Sequence, residues 1–170
     1  MTVALGVVFM VLGAVIEVLD LTTVVLASLL VMFIYVELGS PYTWLVWLST
    51  SLLAFIFYPG SLMWLVYLTI FGIYPILKGY IERLPRALWF VVKVLFINTM
   101  LALLVLFAEA LVGVPFFGEL GAVSFIPPPV MLGILWVAMN LAFLLYDRMI
   151  IVMLHFYEIK IRPKIKNILK

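Results

Sequence analysis

Chemistry in this chain has few side chains to draw on. Of its 170 residues eight are Asp or Glu, ten are Lys or Arg, one is His and none is Cys. Without thiols there is no disulfide framework, no Cys-ligated zinc or iron–sulfur centre and no sulfur nucleophile. With His155 alone, a multi-histidine metal centre is excluded as well. His155, Asp147 and Ser40 are the remaining catalytic types on one side of the expected arrangement, but no serine elbow or intramembrane-protease signature surrounds them. No glycine-rich phosphate loop and no helix with paired carboxylates is present. The expectation is a protein that is not an enzyme and carries no metal or cofactor.

Ligand binding is the chemistry these residues suit better. Glu109 lies 16 positions beyond Lys93, about 24 Å along a helix, which puts it at the far end of that helix, and Glu17 has the same depth. The two carboxylates either attract a cationic ligand into a cavity open at that side or mark helix ends in water. Asn98, Thr99 and Asn140 sit deeper, where an uncompensated polar group is costly; they either hydrogen-bond between helices or touch a ligand. Tyr74 precedes Pro75, which leaves the Phe71 carbonyl without its usual amide and predicts a kink or a bound hydroxyl. Asn98, Tyr74 and Asn140 are taken as the deeper wall of a site, with Glu17, Glu109 and Glu119 attracting or orienting its ligand. Segment 113–129 is too apolar to lie free in water and too rich in Gly and Pro for a regular helix. It is expected to fold over the helix ends as a lid, with Phe116, Phe117 and Phe125 as apolar contacts; a passive plug is the alternative.

The elements that must position these residues follow from composition. Hydrophobic residues make up 68% of the chain and charged ones 11%, and the mean hydropathy is +1.37. Such a chain belongs in a bilayer. A helix needs about 20 apolar residues to cross, and six segments approach that: 2–19, 21–37, 41–58, 61–78, 87–112 and 129–157. The uncharged run 41–77 is too long for one crossing and is split by Pro59-Gly60, a turn signal. Ser40-Pro41 reads as a helix start, and Asp20 as the side-chain cap of the second helix. Helices one and two are short, and a shallow re-entrant pair is their alternative. The first segment lacks a basic start and a small-residue cleavage pattern, so a removable signal peptide is not expected. The fold class is all-α, one polytopic membrane domain over 1–170.

Charge then orients the chain. The basic residues gather at Lys78, Arg83, Arg86 and Lys93 and from Arg148 to Lys170, whereas Glu17, Asp20, Glu109 and Glu119 occupy the opposite side. Basic loops stay in the cytoplasm, so six crossings place both termini there, in the plasma membrane. Lys93 is expected to snorkel or to pair with Glu82. The basic tail 158–170 is read as an anchor on anionic lipid, or else as a dock for a cytoplasmic partner; nucleic acid is not an expected partner. Gly6 and Gly13 share a face of the first helix and permit close approach of another helix, from this chain or a partner subunit.

Six short helices, both termini inside and a long external fifth connection resemble the S components, the substrate-binding subunits, of energy-coupling-factor (ECF) vitamin transporters. The run from Phe71 to Arg83, with Trp89, Lys93 and Phe96-Ile97-Asn98, is also similar to a group of small membrane proteins of Gram-positive anaerobes with no known activity. The S-component resemblance implies uptake of a vitamin or cationic metabolite, and a transmembrane coupling subunit with separate ATP-hydrolysing subunits. S components often carry Ala-x-x-x-Ala on the first helix for docking that subunit. Here Ala4 is followed by Val8, so Gly6 and Gly13 are taken as the docking face. The rival expectation is a non-catalytic structural subunit of a membrane complex, similar to rod-shape-determining membrane proteins.

Overall fold

The computed structural model describes residues 1–107, 110 and 128–163. The described elements are all helical, and they follow the apolar segments closely. Helix α1 spans Thr2–Val15, α2 Asp20–Leu38, α3 Ser40–Phe57, α4 Met63–Ile81, α5 Arg86–Phe107 and α6 Pro128–Phe156. A single 3-10 turn, Glu17–Leu19, joins α1 to α2, and a π turn, Tyr157–Ile161, extends α6.

Five of these helices, α2 to α6, are long and apolar enough to cross a membrane; α1, with 14 residues, is a shorter apolar helix. The first of the six expected segments, 2–19, is thus a shorter helix than the span predicted for it. The chain leaves the α-helix at Ile16 and tightens through Glu17–Leu19, so α1 reaches only about 21 Å.

Helix starts depart from expectation in a consistent way. Asp20 is not the cap of α2: Leu19 holds that position, and no side chain caps the helix. Asp20 instead lies in the first turn, where its charge meets the positive end of the helix dipole, and its carbonyl accepts from Thr23 Oγ1 at 2.8 Å. Ser40 likewise heads α3 without capping it. Gly39, at φ 84, is the cap residue and turns the chain sharply between α2 and α3, a conformation that favours glycine. The Ser40 hydroxyl is thereby freed for a 2.7 Å hydrogen bond with the Tyr80 hydroxyl. Pro59-Gly60 makes the expected corner between α3 and α4.

Helix α4 is the axis of the bundle. It is 61% buried over its membrane-length window, against 17% for α5 and for α6. One apolar cluster joins it to α1, α2 and α3 through Met10, Val24, Ala54, Trp64 and Tyr67. A second joins it to α2, α5 and α6 through Leu29, Ile70, Ile97, Phe143 and Ile150. The helix is not regular: Met63–Val66 is α, Tyr67–Phe71 is a π turn, and α geometry resumes at Tyr74–Ile81. Pro75 supplies the reason, since it has no amide to return to the Phe71 carbonyl. The Tyr146 hydroxyl of α6 lies 3.0 Å from that carbonyl and 2.8 Å from Ser28 Oγ, sharing its one proton between the two acceptors. The bound hydroxyl expected from the proline therefore comes from another helix.

The small face of α1 is used within the chain. A side chain at Gly6 would meet Thr50 of α3 at 3.0 Å, and one at Gly13 would fall on Thr23 of α2. This replaces the expected partner-docking role of Gly6 and Gly13, because the space a partner helix would need is already occupied.

Candidate functional site

Lys78, Lys93 and Asp147 each stand in an apolar helix, and the fold brings them together. Lys78 is in the last turn of α4, Lys93 is seven residues into α5, and Asp147 is nine residues from the end of α6. Their exposures are 4%, 7% and 7%, so all three charges are withdrawn from solvent. Burial at that level is tolerable only with full compensation. Asp147 Oδ2 accepts from Lys93 Nζ at 2.6 Å, and Oδ1 accepts from the Tyr74 hydroxyl at 2.6 Å and from Lys78 Nζ. Lys78 also pairs with Glu82, one turn further on, at 3.1 Å. Two ammonium groups thus face two carboxylates, and the cluster is electrically neutral.

Aromatic rings wall this cluster off from the rest of the bundle. Tyr74 packs on Phe143 at 4.6 Å between ring centres and on Phe96 at 5.6 Å, and Tyr146 packs edge-on against Phe71 at 4.8 Å. Beyond the rings, toward the α2 and α4 starts, lies a pocket of about 110 Å³. Leu21, Met63, Ile70, Ile97, Met139 and Phe143 are among its lining residues, and every described lining side chain is apolar. An engineered cavity of about 150 Å³ admits benzene, so this pocket has room for a small apolar group. The interior therefore stacks three layers along the bundle: an apolar pocket, an aromatic septum and an ion cluster.

The deeper-wall residues expected from sequence do not line the pocket. Tyr74 belongs to the septum and gives its proton to Asp147. Asn98 Nδ2 donates to Asn140 Oδ1 at 3.2 Å and to the Val94 carbonyl at 2.8 Å; Asn140 donates to the Trp136 carbonyl at 2.9 Å, and the Trp136 indole donates to Asn98. Those two amides form the hydrogen bond between α5 and α6 that their depth demands. Lys93 neither snorkels nor pairs with Glu82, because Asp147 offers a buried partner. Glu109, Glu119, Phe116, Phe117 and Phe125 lie outside the described residues, as does the Glu17 side chain.

Other polar groups gather at the cluster's end of the bundle. Glu37 of α2 receives the Tyr157 hydroxyl at 3.0 Å and pairs with Arg162 Nε at 3.0 Å, which ties the last π turn to α2. His155 is exposed and eight residues beyond Asp147, about 12 Å along the helix, so the two do not form a catalytic pair. Among the described residues no group of His, Asp and Glu is arranged to hold a metal ion. No protein-family model, curated protein or solved structure matches this chain.

Proposed function

We propose that the chain is a plasma-membrane protein of six crossings, both termini in the cytoplasm, that binds a small molecule from the outer side as the binding subunit of an uptake complex. The pocket between α2, α4, α5 and α6 is the observation that carries this reading. It lies in the half of the bundle remote from Lys78, Arg83, Arg86 and Lys93, which is the outer half if basic loops face inward. Its apolar lining fits the apolar part of a ligand, while Glu17, Glu109 and Glu119 are the charged groups assigned to the cationic part. The resemblance to ECF S components supports the same arrangement, with a coupling subunit and ATP-hydrolysing subunits supplying the energy.

Purified protein in detergent, screened by thermal unfolding against vitamins and cationic metabolites, tests the proposal. A true ligand raises Tm by several degrees, and Ala142→Trp, which fills the pocket from α6, removes that rise while leaving the unliganded Tm within about 3 °C. A panel with no stabilising member, or a stabilisation indifferent to Ala142→Trp, overturns it. The orientation is tested separately, because a Cys-free chain accepts single labels cleanly. Gly60→Cys is expected to react with an impermeant maleimide on intact cells, and Arg83→Cys only after permeabilisation.

The structural-subunit reading has one observation in its favour: the polar groups inside the bundle bond within two sets, Tyr74, Lys78 and Lys93 with Asp147, and Asn98 with Asn140, and need no ligand. It predicts a stable protein partner recovered by crosslinking, and no thermal response to small molecules.

A further inference from the structure

The ion cluster is separate from the outer pocket, and its geometry supports an inference independent of that pocket's ligand. We infer that Tyr74, Lys78 and Lys93 form a receptor for a single carboxylate, that Asp147 is its resident ligand, and that a small organic acid anion can take the place of Asp147.

Five observations converge on this. The donors come from α4 and α5 alone, and the carboxylate alone comes from α6. Each donor is also held by something other than Asp147: Lys78 by Glu82 at 3.1 Å, Lys93 by the face of Trp89 at 5.9 Å, and Tyr74 by the rings of Phe96 and Phe143. The cradle therefore keeps its shape when the carboxylate leaves. Its charge without Asp147 is two ammonium groups against Glu82, a net single positive charge, which calls for one monovalent anion. Donors are divided between two oxygens, two on Oδ1 and one on Oδ2, so a planar two-oxygen anion satisfies all of them and a spherical halide does not. Access is short: Glu82, whose side chain is 37% exposed, touches Lys78 directly. The charged and titratable groups around Asp147 are Tyr74, Lys78 and Glu82 from α4, Lys93 from α5 and Tyr146 on its own helix, whose hydroxyl is held by Ser28 of α2.

Formate is the probe, at constant ionic strength against chloride. Asp147→Ala is expected to lose Tm by about 10 °C in chloride and to regain about half of it in formate, with no regain in Asp147→Ala/Lys93→Met. If Asp147→Ala is recovered only from formate-containing buffer and unfolds when formate is dialysed away, that result supports the same receptor. A variant that fails to fold with or without formate, or that responds equally to chloride, overturns it. Exchange in the intact protein is read with Ile150→Cys, a site on α6 only 1% exposed. Formate is expected to raise its maleimide reaction rate several-fold over chloride, as α6 loosens from the cradle. Rescue of Asp147→Ala without this acceleration overturns the exchange.

Discussion

Asp147→Asn is expected to lower the stability of the folded protein by about 3–5 kcal/mol, and adding Lys93→Met to it should return about half of that loss. The asymmetry follows from the pairing. Lys78 keeps Glu82 at 3.1 Å when Asp147 is neutralised, whereas Asp147 is the only ion-pair partner given to Lys93 among the described residues. An ammonium 7% exposed in an apolar helix then carries an uncompensated charge, and removing it is better than leaving it. Thermal unfolding in detergent followed by circular dichroism measures both variants. If the double variant is less stable than Asp147→Asn alone, charge neutrality is not what holds the cluster.

Gly72→Ala should cost about 2–3 kcal/mol, an unusually large loss for one methyl group. Gly72 follows the π turn of α4, and its amide donates to the Tyr67 carbonyl at 2.7 Å. An added Cβ would stand 2.7 Å from that same carbonyl oxygen and 2.7 Å from Trp47 Cδ1. The carbonyl is backbone and cannot move aside. Trp47 is held as well, since its indole N–H donates to the Leu68 carbonyl at 3.2 Å. Gly133→Ala on α6 is the control: nothing lies within 4 Å of its Cβ position, so helix propensity should make it neutral or stabilising by up to about 1 kcal/mol. Equal Tm values for the two variants would show that the packing around Gly72 yields freely.

The helices were legible in the sequence because a bilayer imposes a simple rule: long apolar runs, broken by Pro59-Gly60 and by charges, become helices. Boundaries slipped where local chemistry competes with that rule. Glu17–Leu19 tightened into a 3-10 turn, and at Ser40 the hydroxyl found Tyr80 across the bundle instead of its own backbone. The ion cluster was legible in part. Lys93 stands seven residues inside α5 and Asp147 nine residues inside α6, from the same end of antiparallel neighbours, so opposite charges at matched depth should have suggested each other. Proximity in sequence instead offers Lys93 either the headgroups or Glu82, although Lys78, one helical turn before Glu82, is better placed to pair with it. The pocket was not legible, because its walls are Leu, Ile, Met and Phe like those of any packed interior. Only the distance between helices separates a void from a core.

The wide separation of the paired charges along the chain has a consequence for biosynthesis. Lys78 and Lys93 precede Asp147 by 69 and 54 residues. A ribosome adding about 5–20 residues per second leaves roughly 3–14 s between Lys78 and its partner. For that interval the nascent α4 and α5 hold basic side chains at the translocon with no acid from α6 to receive them. A transcript truncated before α6 would yield a protein that never resolves this mismatch, and membrane quality-control proteases would meet it as an orphan.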